Sequence, residues 1–155
     1  MLLLVGCGSS SSSSGPTKAQ YVAKADAICS AAGAKTAPLI SKLVAGGASL
    51  ASGSASGARE LAPVLAKLHD EAAASLAQLR ALKQPKGEAA KIESYLSPLT
   101  NVVAAAGQAA ASLRAGQAAP ALGLLGQVQS DAQQATSAAQ AYGVAPCGSV
   151  LSALG

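Results

Sequence analysis

Apolar residues recur along much of the chain at intervals of three and four, which is the spacing of one face of an α-helix. The first such stretch predicts a helix from about Lys18 to Val44. Thr17 followed by Gln20 is a capping-box pattern at its start, and Pro38 is expected to bend it. Its apolar face consists of Tyr21, Ala25, Ile28, Ala32, Leu39 and Leu43.

The second predicted helix lies between a Gly/Ser/Ala-rich stretch and a proline. Residues 46–57 predict a mobile loop, because glycine and serine are frequent there. Pro63 suits the first turns of the helix that follows, and Pro85 with Gly87 predicts its end and a tight connection. The apolar face consists of Leu61, Leu65, Leu68, Ala72, Ser75, Leu79 and Leu82.

Two further helices complete the pattern. In the third, Glu88 lies in the first turn, Pro98 predicts a kink, and Arg114 and Gly116 mark the end. The fourth starts near Pro120, and Gly143 followed by Val144 predicts a left-handed C-terminal cap. Their apolar faces are Ile92, Leu96, Leu99, Val103, Ala106, Ala110 and Leu113, then Ala121, Leu125, Val128, Ala132, Ala135, Ala139 and Tyr142.

Four apolar stripes joined by short connections predict an all-α fold, an up-down-up-down four-helix bundle that covers residues 17–155 with a C-terminal tail. The Leu-rich second helix is expected to pack against the Ala-rich fourth helix, large residues against small, so that the interior closes without a void. Composition supports helices, because alanine dominates while tryptophan and phenylalanine are absent and tyrosine occurs three times.

The N-terminus carries the sequence Leu4-Val5-Gly6-Cys7, which resembles the bacterial lipobox. In a lipobox, small residues precede a cysteine that is acylated and becomes the new N-terminus. Residues 1–6 would then be the remnant of a signal peptide whose true start lies upstream, because no Lys or Arg precedes Cys7. Residues 7–16 would be the acylated cysteine and a flexible Gly/Ser tether. The alternative is an ordinary N-terminus with a free thiol.

Three cysteines are an odd number for an exported protein. If Cys7 carries lipid, Cys29 and Cys147 remain as a pair that an oxidising exterior would join. The bundle topology agrees, because the tail after Gly143 is just long enough to fold back to Cys29. The alternative is two buried free thiols.

Two segments resemble the opening and closing motifs of small, functionally uncharacterised lipoproteins of high-GC Gram-positive (actinobacterial) bacteria. They are Tyr21-Val22-Ala23-Lys24-Ala25-Asp26-Ala27-Ile28-Cys29 and Ala141-Tyr142-Gly143-Val144-Ala145-Pro146-Cys147-Gly148. The resemblance implies export, a helical domain and a disulfide that ties helix 1 to the tail, and it implies no activity. Tyr21 and Tyr142 are expected to pack near that bridge, with a role in binding as the alternative.

No recognisable catalytic motif accompanies this architecture. His69 stands without a second histidine or a nearby cysteine, so we expect it to be solvated or packed. The carboxylate pairs Asp70/Glu71 and Glu88/Glu93 are typical of solvated helix faces. No glycine-rich phosphate loop or nucleophile elbow is present in the sequence. We therefore expect no catalytic residue, no metal, no cofactor and no enzyme activity.

The net charge of +4 is spread thinly and is not interleaved with aromatic residues, so a nucleic-acid surface is not expected. A weak basic cluster would instead face anionic lipid at the tethered end, with ordinary solubilising charge as the alternative. Its members are Lys18, Lys24, Arg80, Lys83, Lys86 and Lys91.

The sequence thus predicts a non-enzymatic lipoprotein, anchored through Cys7 to the extracytoplasmic face of the bacterial cell membrane. Its expected partners are membrane lipid and an unidentified envelope protein or polymer, with the loop at residues 46–57 as the contact. The alternative function is the binding of a small apolar ligand between the helices.

Overall fold

The computed structural model describes residues 15–145, which form four helices and contain no β-strand. They are α1 (Lys18–Ala51), α2 (Ala55–Ala81), α3 (Ala89–Arg114) and α4 (Ala118–Tyr142). Each helix runs antiparallel to the one before it, so the predicted all-helical bundle is confirmed. No helix among these residues is both long enough and apolar enough to cross a membrane.

The helix ends follow the local sequence chemistry. At the start of α1, the Gln20 N–H donates to Thr17 Oγ1 at 3.2 Å and the Thr17 N–H donates to Gln20 Oε1 at 2.9 Å, which is the predicted capping box. At the end of α4, Gly143 adopts a φ of 107°. This conformation turns the Val144 N–H back to the carbonyl of Ala139 at 2.9 Å and buries the Val144 side chain. The predicted cap is confirmed.

The prediction of a mobile loop at residues 46–57 is wrong. Helix α1 continues to Ala51, and the connection is a short turn at residues 52–54. A Cβ on Gly46 would lie 2.5 Å from Leu61 Cδ2, so this glycine allows α1 and α2 to approach closely. Burial of Leu50 at the end of the helix also favours the helical state. Tertiary packing here outweighs the low helix propensity of glycine.

Two smaller boundaries also differ from prediction. Helix α2 begins at Ala55, so Pro63 lies inside the helix and not in its first turns. Helix α3 begins at Ala89, so Glu88 is the residue just before the helix, and its side chain makes no capping hydrogen bond. Pro38 and Pro98 also lie within continuous helices, in α1 and α3.

The helices pack unequally. Helices α3 and α4 lie closest together, α2 packs against both α1 and α3, and α1 meets α4 only sparsely. The close pair is lined by alanine, including Ala105, Ala109, Ala121 and Ala132, whose small side chains let two helix axes approach. The expectation that α2 and α4 would pack together and close the interior is wrong, because α4 pairs with α3 and a cavity remains.

Most of the buried apolar residues fall into three clusters. The first lies where α1 begins and α4 ends, and contains Tyr21, Tyr95 and Tyr142; we call this region the tyrosine end. The second lies at the opposite end, around Leu50, Leu61 and Leu113. The third joins α3 to α4 around Val102, Val128 and Ala132. The space between these clusters is an apolar cavity.

Candidate functional site

An apolar cavity of about 130 Å³ lies in the middle of the bundle and opens in part to solvent. All four helices contribute to its wall, α1 and α2 most. The lining residues are Cys29, Ala32, Thr36, Ile40, Leu43, Leu65, Leu68, Ala72, Ser75, Leu76, Leu79, Leu99, Val102, Val103, Ala106, Leu125 and Val128.

Small residues that coincide at one level of the bundle account for the cavity. Ala32 and Thr36 of α1 lie across from Ala72 and Ser75 of α2, and Ala106 of α3 completes the level. The salt bridge between Lys35 Nζ and Glu71 Oε2, at 3.1 Å, marks the level at which these two helix segments face each other. Where several short side chains face one another, helices of normal spacing cannot fill the interior.

Two side chains of the cavity lining carry hydroxyl groups, and both hydroxyls already donate hydrogen bonds. Thr36 Oγ1 donates to the carbonyl of Ala32 at 3.0 Å, and Ser75 Oγ donates to the carbonyl of Glu71 at 2.8 Å. Both hydroxyls therefore satisfy themselves on their own helices, as serine and threonine within helices often do. Among residues 15–145, no charged residue lines the cavity. The cavity is suited to hydrocarbon and not to a polar or ionic ligand.

Helix α1 forms one wall of the cavity. Ile40 is buried but belongs to none of the three packed clusters, because it faces the cavity. Pro38, which lies two residues before Ile40, has no N–H and so leaves the helix one hydrogen bond short at this point.

The tyrosine end fills the bundle interior between the cavity and the end where α1 begins and α4 ends. The hydroxyls of Tyr21 and Tyr95 are hydrogen-bonded at 2.7 Å, and the rings of Tyr21 and Tyr142 meet edge to face with centroids 5.9 Å apart. Lys18 Nζ lies 4.6 Å from the centroid of the Tyr142 ring, a cation–π contact. Tyr21 and Tyr142 thus pack against each other in one cluster with Cys29, while the bridge near which they were expected to lie involves Cys147, outside the described residues. Tyr95 was not predicted to join them.

Burial perturbs the ionisation of these tyrosines. Desolvation raises the pKa of Tyr95, and the neighbouring Tyr21 hydroxyl raises it further. Desolvation also raises the pKa of Tyr21, against a smaller lowering by the hydrogen bond to Tyr95. The pKa of Tyr142 is raised by desolvation first, then by the nearby Glu88 and Tyr21. All three are therefore neutral phenols at ordinary pH.

The cysteines predicted as sites fall in two groups. Cys7 and Cys147 lie outside the described residues. Cys29 is buried in the tyrosine-end cluster together with Tyr142 and Val144, and it also lines the cavity.

The predicted basic residues lie at the tyrosine end, near the start of α1 and the connection between α2 and α3. A Cβ on Gly15 would lie 3.8 Å from Lys83 Cε, so the incoming chain passes beside this connection. Salt bridges join Arg80 to Glu93 at 3.5 Å and Lys91 to Glu88 at 3.0 Å. The remaining four members, Lys18, Lys24, Lys83 and Lys86, stand outside those pairs.

His69 is a packed histidine. Its Nδ1–H donates to the carbonyl of Val103 at 3.0 Å, and a Cβ on Gly107 would lie 3.0 Å from its ring. Glycine at position 107 thus makes room for the imidazole between α2 and α3. Across residues 15–145 no three His, Cys, Asp or Glu side chains are grouped so that they could hold a metal ion.

No known protein family, curated protein or solved structure matches this chain.

Proposed function

We propose that this protein is a non-enzymatic, lipid-anchored binding module that holds a small apolar ligand inside its helical bundle. The observation that carries the proposal is the cavity, whose volume of about 130 Å³ is close to the roughly 150 Å³ of an engineered apolar cavity that binds benzene. Its lining is hydrocarbon apart from Cys29 and two hydroxyls that are already hydrogen-bonded.

The anchor is proposed from the N-terminal sequence. The signal-like segment before Cys7 and the Ser-rich stretch after it favour acylation of that cysteine and export to the outer face of the cell membrane. The position of Gly15 beside Lys83 supports the same arrangement, because it places the start of the described chain at the end of the bundle that carries the predicted basic cluster. Each such residue near an anionic surface contributes at most about 1 kcal/mol.

A disulfide between Cys29 and Cys147 is part of the proposal. A Cβ on Gly143 would lie 4.0 Å from Val22 Cγ2, so the end of α4 lies beside α1. Cys29 is seven residues beyond Val22, about 10.5 Å along the helix. The four residues that follow Gly143 span up to about 14 Å when extended. The tail is therefore long enough to reach Cys29.

Presentation of a surface to an envelope protein or polymer remains a prediction, but its proposed contact has changed. The segment expected to be a loop at residues 46–57 is mostly helix, and within it only the turn at residues 52–54 is not helical.

Ligand binding is tested by titrating the full chain carrying Cys7→Ser, which cannot be acylated, with benzene and with 1-hexanol. We expect the NMR methyl signals of Leu68, Leu99 and Val102 to shift and saturate. Ala72→Leu, which places a side chain in the cavity, should abolish the shifts. Ala77→Leu makes the same change on the exposed face of α2 and is the matched control. Absence of saturable shifts with both probes would overturn the proposal.

The membrane-facing role is tested by liposome co-sedimentation of the same non-acylated chain. Lys83→Glu with Lys86→Glu should weaken association with anionic vesicles at low salt. Lys42→Glu with Lys67→Glu changes the net charge equally on exposed positions away from the tyrosine end and should have less effect. Equal binding by the two variants would show that the basic cluster has no specific role in membrane association. Intact-mass analysis of the native lipoprotein checks the acyl group at Cys7.

A further inference from the structure

Two buried polar atoms at the tyrosine end have no hydrogen-bond partner among residues 15–145. They are the hydroxyl oxygen of Tyr142, a residue that is 3 % exposed, and Oε2 of Glu88. The other carboxylate oxygen of Glu88 accepts a hydrogen bond from Lys91 Nζ at 3.0 Å. A polar atom that is buried without a partner costs free energy, so each of these two atoms requires one.

The two atoms belong to the same part of the bundle. Glu88 lies just before α3, four residues before Ile92 and seven before Tyr95, so it is in line with the buried face of that helix. The ring of Tyr95 lies beside that of Tyr142, with centroids 6.1 Å apart. Burial raises the pKa of Tyr142 first, and the charge of Glu88 raises it further, so the two groups lie near each other. They nevertheless make no direct hydrogen bond.

The three phenol groups of the tyrosine end leave two O–H hydrogens without an acceptor among the described residues. The bond between the hydroxyls of Tyr21 and Tyr95, at 2.7 Å, uses one of the two hydrogens of that pair. The other hydrogen of the pair and the hydrogen of Tyr142 are left over, while Glu88 Oε2 accepts from no donor. A group that accepts two hydrogen bonds and donates one would therefore satisfy all of these atoms.

The charges around these atoms favour a neutral group over an ion. The Glu88 carboxylate is paired with the Lys91 ammonium, and Lys18 Nζ lies 4.6 Å from the centroid of the Tyr142 ring. The two ammonium groups would repel a further cation, and the carboxylate would repel an anion. Water is neutral and both accepts and donates hydrogen bonds, so it has the required chemistry.

We propose that one buried water molecule binds at the tyrosine end, where it accepts from the Tyr142 hydroxyl and donates to Glu88 Oε2. Its second acceptor site receives the remaining hydrogen of the Tyr21–Tyr95 pair, which gives the three hydrogen bonds that are typical of a buried water. The water links the residue before α3 to the end of α4 and, through the tyrosine pair, to α1. This site is separate from the apolar cavity and does not depend on the proposed function.

The direct test is a crystal structure of the full chain carrying Cys7→Ser. We expect an ordered water at about 2.7–3.2 Å from both the Tyr142 hydroxyl oxygen and Glu88 Oε2. A hydrogen bond made directly between these two side chains, or electron density that shows no water beside them, would overturn the proposal.

Stability of the same chain gives a second test, because Tyr142→Phe removes the hydroxyl and keeps the ring. We expect the unfolding equilibrium constant from urea denaturation to rise about fivefold, since a satisfied hydrogen bond is lost. If the hydroxyl were buried without any partner, its removal would leave stability unchanged or increase it. That result would contradict the proposal.

A double-mutant cycle then tests whether the two side chains share the water. Tyr142→Phe combined with Glu88→Ala should cost less than the product of the two separate fold-changes, because either change alone already disrupts the shared site. Glu93→Ala is the matched control, since its carboxylate is exposed and pairs with Arg80. Its effect should multiply with that of Tyr142→Phe. Independent effects in both cycles would show that no water joins Tyr142 to Glu88.

Discussion

The tyrosine end and the middle of the bundle are built from the same four helices but reach opposite packing states. At the tyrosine end, three aromatic rings fill the space between α1, α3 and α4, and each of these side chains is at most 3 % exposed. In the middle, alanine, serine and threonine face one another and leave a cavity of about 130 Å³. Two helices lined by alanine leave no gap when their axes approach each other, as those of α3 and α4 do. At the centre of a four-helix bundle, alanine side chains are too short to fill the space.

The strongest way to break this comparison is to hollow out the tyrosine end as well. Tyr95→Ala removes a fully buried ring and leaves the Tyr21 hydroxyl without its partner. We expect a loss of about 3–5 kcal/mol in the free energy of unfolding, as for other large aromatic deletions in cores. Urea denaturation followed by circular dichroism measures it. A loss below about 1 kcal/mol would mean that this end is not packed as described.

A larger side chain should lower stability in the close contact between α3 and α4 but not in the cavity. Ala132→Leu inserts a larger side chain into the closed contact between α3 and α4, and we expect it to lower the free energy of unfolding by about 1–3 kcal/mol. Ala72→Leu places the same atoms in the cavity and should be neutral or stabilising. The two Tm values provide the measurement, and equal destabilisation by both variants would argue that no cavity exists.

Alkaline titration should affect only the tyrosine end. Because burial raises the pKa of Tyr21, Tyr95 and Tyr142, the unfolded chain releases phenolic protons at lower pH than the folded chain. Stability is then fully present below about pH 10, the pKa of a free tyrosine, and falls as pH rises above it. Denaturation midpoints from pH 8 to 11 measure the slope. Tyr21→Phe should make it shallower and should cost about 1 kcal/mol at neutral pH.

The smallest expected change in stability is the difference between alanine substitutions at two adjacent glycines near the end of α1. Gly47→Ala meets no atom within 4 Å and should stabilise the helix by about 0.5–1 kcal/mol. Gly46→Ala meets Leu61 at 2.5 Å, so the propensity gain should be lost to a forced shift of that side chain. Thermal unfolding of both variants is the comparison. If both are neutral, this segment is a loop in solution.

Much of the fold could be predicted because it depends on local patterns. The stripes of apolar residues predicted the four helices, and the Thr17 and Gly143 caps were predicted from the residue types that such caps require. The loop at residues 46–57 was wrong because propensity alone suggested it. Whether Gly46 breaks a helix or lets two helices touch depends on Leu61, fifteen positions away.

The site was less predictable. The place of Tyr95 could have been found from topology, since it lies near the start of α3 and an antiparallel bundle brings that level beside Tyr21 and Tyr142. The cavity depends on how the helices are aligned along their axes. Ala72 and Ser75 interrupt the leucine stripe of α2, and only their coincidence with Ala32 and Thr36 of α1 leaves space. The Lys35–Glu71 salt bridge that marks this alignment carries no signal in the sequence by itself.

Because the number of antiparallel helices is even, α1 begins and α4 ends at the same end of the bundle. This determines how far apart two fluorescent labels on the protein would lie. Helix α1 has 34 residues, about 51 Å of axial rise. A fluorophore inserted into the turn at residues 52–54 would therefore lie about that distance along the bundle axis from a label at the start of α1, whereas a label at the end of α4 would lie beside it.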